Sequence, residues 1–124
     1  MSGIEFLLDT NVVIGWLKGA PETDALKEEL GFELATGAVS QITEMELLSF
    51  PKLQLAEEKQ IVEFLRACRV LPISAEIARD AIALRRRTGI RLPDAIIGAT
   101  ARVHGLKLVT LDQRLGRALQ EAID

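Results

Sequence analysis

The chain has 124 residues and a mass of 13.6 kDa, room for one domain, and its 48% hydrophobic and 27% charged residues exclude a disordered or membrane-embedded protein. One histidine, one cysteine and five scattered aromatics exclude a histidine-pair ribonuclease, a zinc site and an aromatic base-stacking platform, so any enzymatic chemistry rests on carboxylates. The net charge of −3 is split: residues 1–63 carry 4 basic and 12 acidic side chains, residues 64–124 carry 11 and 6, which sets an arginine-rich half beside an acidic one. In chain order, residues 4–8 read as a short buried strand, followed by Asp9, Thr10 and Asn11 and an apolar helix over 12–17. Pro21 opens a second helix to residue 30, with Gly31 as its C-terminal cap. Residues 33–39 read as a second strand, and Ser40 or Thr43 caps a helix that Pro51 stops. An amphipathic helix covers 56–69, a third strand 70–73, and Ser74 caps a helix over 75–88 closed by Gly89. A helix over 93–104, a strand over 106–110 and a last helix capped by Asp112 complete the chain.

Strands alternating with helices predict one α/β domain over 1–124, with a mainly parallel sheet and helices on both faces. In such folds ligands sit at the carboxyl ends of the strands. No run approaches the ~20 apolar residues of a membrane helix. Glu5 and Asp9 bracket the only early apolar run, which speaks against a signal peptide. A lone cysteine forms no internal disulfide, and the expected compartment is the reducing cytoplasm.

Four acids stand at positions where site chemistry is expected, and each has a structural rival. Asp9 follows the first strand and also suits a helix N-cap. Glu46 lies three residues after Thr43, a capping-box spacing, and nearby Glu44 competes for the role, so the residues alone leave both open. Asp94 heads a helix with almost no other charge before Arg102, where it either serves a site or answers the helix dipole. Asp112 follows the last strand and again suits an N-cap. Close carboxylates repel by roughly 4 kcal/mol per pair at 4 Å in an effective dielectric of 20. If they converge, a cation belongs between them, and hard oxygen donors without histidine or cysteine point to Mg²⁺ or Mn²⁺.

The order of these motifs resembles the PIN-domain family, especially its small VapC-type toxins. The likeness rests on Leu8-Asp9-Thr10-Asn11-Val12, Ile42-Thr43-Glu44-Met45-Glu46-Leu47, the stretch from Pro93-Asp94-Ala95 to Ala101, and Val109-Thr110-Leu111-Asp112. The resemblance implies a three-layer α/β sandwich and a metal-dependent ribonuclease whose four acids are Asp9, Glu46, Asp94 and Asp112, and it selects Glu46 over Glu44. On this reading Asp9 and Asp94 bind the ion directly, Glu46 and Asp112 hold its waters or a second ion, and Thr10, Asn11 and Thr110 orient carboxylates. It further implies an RNA substrate, a small cognate antitoxin and a homodimer. The last motif departs from the family, which often continues into an acid and an aromatic where this chain has Arg114-Leu115.

Other classes fit less well. A phosphoacceptor receiver needs an acidic pair near the first strand and a lysine ending the last; Asp9 has no acidic neighbour before Glu22, and Lys107 begins its strand. An Asp-x-Asp phosphatase needs an acid where Asn11 stands. A non-catalytic module of the same fold, or a nuclease of RNA maturation or of DNA, stays open. Arg85, Arg86, Arg87 and Arg91 are either a phosphate track or a solvated helix end, and Arg102 and Arg114 are candidates to approach the acids. Trp16, Leu47, Leu48, Phe50 and Leu53 are either core or a seam for a partner.

Overall fold

The computed structural model describes residues 3–123; Met1, Ser2 and Asp124, which the expected domain includes, lie outside the described residues. The elements are β1 (Phe6–Leu8), α1 (Thr10–Lys18), α2 (Pro21–Leu30), β2 (Gly37–Ser40), α3 (Gln41–Leu48), α4 (Leu55–Ala67), β3 (Arg69–Leu71), α5 (Ala75–Thr88), α6 (Leu92–His104), β4 (Lys107–Val109) and α7 (Gln113–Ile123). The four strands form one sheet in the order β3-β2-β1-β4, and every described pairing is parallel. Phe6 pairs with Gly37 and Lys107, so β1 lies in the middle.

A central parallel strand is covered on both faces, which explains why Phe6, Leu7 and Leu8 are all apolar without alternation. Their side chains still part by the two-residue period. Leu7, Ala38 and Leu71 pack with α5, α6 and α7 residues such as Ile77, Leu84, Ile97 and Leu115. Phe6, Leu8, Val39 and Val109 face Val12, Val13, Phe32, Ile61 and Phe64 on the other side. The result is the three-layer α/β/α sandwich the sequence predicts. Helix α6 comes close to α5 because Gly98 lacks a side chain; a Cβ there would lie 3.0 Å from Leu84 Cδ2.

Two local expectations are corrected. Residues 33–39 are not one strand: Leu34–Thr36 form a 3₁₀ turn and pairing begins at Gly37. Thr36 explains the difference, since its hydroxyl accepts from the Glu33 N–H at 3.2 Å and its own N–H donates to Glu33 O at 3.2 Å. This local bonding displaces the ladder. Thr43 is not a cap either. Ser40 caps α3, accepting from the Ile42 N–H at 3.2 Å, which leaves Thr43 inside the first turn and fully buried.

Cys68 ends α4 half-buried, its thiol donating weakly to Leu65 O at 3.9 Å, and burial pushes its pKa up to about 11. At pH 8 this leaves about a hundredth of the thiolate present in an ordinary cysteine. Alkylation by iodoacetamide, followed by mass spectrometry, is expected to be slow in the native protein and fast in urea.

Candidate functional site

Parallel strands β1 and β4 end side by side, with Leu8 opposite Val109, and deliver their next polar residues to one edge. Asp9 is the first of these. It caps α1, with Oδ1 accepting from the Thr10 N–H at 2.7 Å, while its own N–H donates to Val109 O at 2.9 Å. Its second oxygen accepts from the Thr110 hydroxyl at 2.7 Å, and that hydroxyl oxygen accepts from the Asp112 N–H at 2.9 Å. Cap and site residue are thus the same carboxylate. Asp9 is only 4% exposed, and burial pushes its pKa above the ordinary value. The Thr110 and Thr10 hydrogen bonds pull it back, and the charges of Asp94 and Asp112 raise it further.

Glu46 reaches the same edge from α3. Its Oε1 accepts from the Thr10 hydroxyl at 2.9 Å, and the Thr10 and Thr43 hydroxyls are 2.9 Å apart. Thr10 has one hydroxyl proton and gives it to Glu46, so Thr43 donates to Thr10. The chain Thr43→Thr10→Glu46 was not legible in the sequence, where Thr43 read as a cap.

Asp94 opens α6, and Arg91 Nε lies 3.3 Å from its Oδ2. The Arg91 side chain is 76% exposed, so this pair is weak. Asp112 opens α7, with Oδ1 accepting from the N–H groups of Arg114 and Leu115 at 2.9 and 3.4 Å. Asn11 ties the edge together, its Oδ1 accepting from the Leu111 N–H at 3.2 Å.

All four acids named from the sequence line one cavity of about 260 Å³, with Thr10, Asn11, Ile14, Phe50 and Arg91 completing its wall. Glu44 does not line it. Among the described residues no three histidine, cysteine or acidic side chains are already grouped tightly enough to hold an ion. The acids surround a space and do not form a closed shell. The donor chemistry nonetheless fits a hard divalent cation: the set is all oxygen, and Asp9 is buried with two acids raising its pKa, a cost that a bound cation offsets.

The arginines divide. Arg85 Nη1 donates to Ile90 O at 2.8 Å and braces the turn that Gly89, at φ +72°, makes out of α5. That turn sets Arg91 beside the acids, a role the charge run did not reveal. Arg102 does not approach the site; it pairs with Asp80 at 3.6 Å and lines a groove between α5 and α6 with Arg79.

A family model described as the PIN domain matches residues 6–119. The fold is similar to that of a toxin–antitoxin complex from Klebsiella pneumoniae, with 34% identity, a TM-score of 0.76 and 88% of each chain covered. It is also similar to the DNA-bound VapBC from Salmonella typhimurium, at 26% identity and a TM-score of 0.74, over 92% of this chain and 91% of that one. FitAcB from Neisseria gonorrhoeae gives 25% identity and a TM-score of 0.74, over 93% of both chains. No curated protein sequence matches the chain.

Proposed function

The chain belongs to the PIN-domain family, among its VapC-type members, and on that premise we propose that it is a divalent-metal-dependent endoribonuclease, the toxin of a toxin–antitoxin pair. The observation that carries this reading is the convergence of Asp9, Glu46, Asp94 and Asp112 on one cavity at the carboxyl edge of a parallel sheet. Asp9 and Asp94 hold one Mg²⁺ or Mn²⁺. When bound, the ion supplies Lewis-acid activation of water and offsets the charge on the phosphate. Glu46, anchored through Thr10, orients the attacking water and takes its proton. Asp112, fixed by two backbone N–H groups, would hold water in the same cavity. Thr110 keeps Asp9 in place.

The test is a divalent-ion titration of chelator-stripped protein against labelled single-stranded RNA and DNA of the same sequence. Cleavage of RNA is expected only after Mg²⁺ or Mn²⁺ is added. RNA binding without cleavage at every ion concentration would make the chain a non-catalytic module, and cleavage of DNA alone would make it a DNA nuclease.

The reading includes a small cognate antitoxin, a homodimer and a cytoplasmic location. An apolar groove between α1, α3 and α4, lined by Ile14, Leu17, Leu47, Phe50, Leu53 and Ile61, shares Ile14 and Phe50 with the acidic cavity. This continuity supports an inhibitor that anchors in the groove and reaches the acids. Leu53→Asp is expected to abolish co-purification of the antitoxin from the native host while leaving the circular dichroism spectrum unchanged. Exposed Met45, Ile82 and Leu92 support a second copy as partner, for which sedimentation is expected to give twice the 13.6 kDa chain mass.

A further inference from the structure

A second cavity of about 220 Å³ adjoins the acidic one and shares Arg91, Asp94 and Asp112 with it. Its remaining wall includes Ile90, Arg114 and Leu115. Two guanidinium groups therefore flank a space whose only carboxylates, among the described residues, are those assigned to the metal centre. Asp112 already uses Oδ1 on the first turn of α7. Arg114 has no side-chain hydrogen bond or ion pair among the described residues. Arg91 uses only Nε, which leaves the two terminal nitrogens of its fork for another acceptor. Both arginines stand on firm supports: Arg91 at the head of α6 beside the Arg85–Ile90 brace, Arg114 in the capped first turn of α7.

A cation entering the acidic cavity competes with Arg91 for Asp94. That would free the Arg91 fork within the cavity that Arg114 also lines, and two planar cations on one cavity wall suit one bridging oxyanion. We propose that Arg91 and Arg114 form a phosphate-binding subsite that takes the RNA phosphate next to the one cleaved, with Arg91 exchanging Asp94 for that phosphate. This rests on the nuclease reading. It also gives the arginine-rich half a specific contact in place of a diffuse track.

The experiment uses the full chain with Glu46→Gln, which removes the group that takes the water's proton and keeps Asp9 and Asp94 for the ion, and a fluorescein-labelled single-stranded RNA followed by anisotropy in Mg²⁺ at several salt concentrations. R91Q and R114Q are each expected to weaken binding about tenfold and to lower the salt slope by about 0.7. Arg69→Gln, at the amino end of β3 and so across the sheet from the site, serves as the control and keeps the parent slope. In the otherwise wild-type chain, R91Q is also expected to bind Mn²⁺ several-fold more tightly by calorimetry, because a competing cation is gone. RNA binding with unchanged slope in both variants would overturn the subsite and leave the nuclease reading standing. Wild-type protein that neither binds nor cuts RNA in Mg²⁺ or Mn²⁺ would overturn both.

Discussion

Asp9→Asn is expected to lower RNA cleavage about 100- to 1,000-fold while raising the stability of the metal-free protein at neutral pH. The two effects share one cause. Asp9 is almost wholly buried, and burial together with Asp94 and Asp112 holds its pKa above the ordinary value despite two hydrogen bonds. A carboxyl whose folded pKa is raised binds its proton more tightly in the folded state than in the unfolded one. Stability therefore falls as pH rises from the unfolded pKa through the folded pKa, and the full cost is present above both. Asparagine keeps the shape, accepts from the Thr10 N–H and donates to the Thr110 hydroxyl, with no charge to bury. The stability gap between variant and wild type is thus expected at neutral pH and closes as pH falls below the ordinary carboxylate range.

Metal inverts the order. An ion that binds only the folded wild type adds about 2.7 kcal/mol when present at 100 times its dissociation constant. Thermal melts in chelator are expected to rank Asp9→Asn above wild type, and melts in excess Mn²⁺ to rank wild type above Asp9→Asn. Melts that keep the same order in both buffers would remove Asp9 from the metal centre.

The frame was legible wherever one residue type has a single local use. Pro21, Gly31, Ser74 and Gly89 punctuate α2 and α5 where expected, because caps and first-turn prolines act through their own backbone. The apolar runs placed β1, β3 and β4 to within two residues, while the start of β2 was missed by four because of the Leu34–Thr36 turn. Asp9, Asp94 and Asp112 were found by their placement at strand ends and a helix head, Glu46 was chosen over Glu44 through the family resemblance, and all four line one cavity. What stayed hidden depends on pairs far apart in the chain. The strand order follows from how helices cover both faces of β1, and the Thr10–Thr43 contact spans 33 residues. Arg91 looked like part of a charge run, and the Arg85–Ile90 brace together with its contact to Asp94 distinguishes it from its neighbours.

Thr10→Val is expected to reduce cleavage about 10- to 100-fold and to cost about 1–3 kcal/mol of stability, although the substitution keeps the side-chain shape. The hydroxyl it removes has two duties: it donates to Glu46 Oε1 and accepts from Thr43. Glu46 loses the contact that holds it against the cavity. Thr43, with no exposure to water, loses its acceptor. The direction of the chain makes its other end unequal. Thr43→Val removes only the donor into Thr10, leaves the Thr10–Glu46 bond intact, and is expected to keep the cleavage rate close to that of the wild type. Thr10→Ser restores the hydroxyl without the methyl and is expected to recover most of the activity. The measurements are initial cleavage rates and chemical denaturation on the three variants. If Thr10→Ser is no better than Thr10→Val, the methyl packing and not the hydroxyl holds Glu46. If Thr43→Val lowers the cleavage rate as much as Thr10→Val, the three groups act as one unit, and the proton order Thr43→Thr10→Glu46 is wrong.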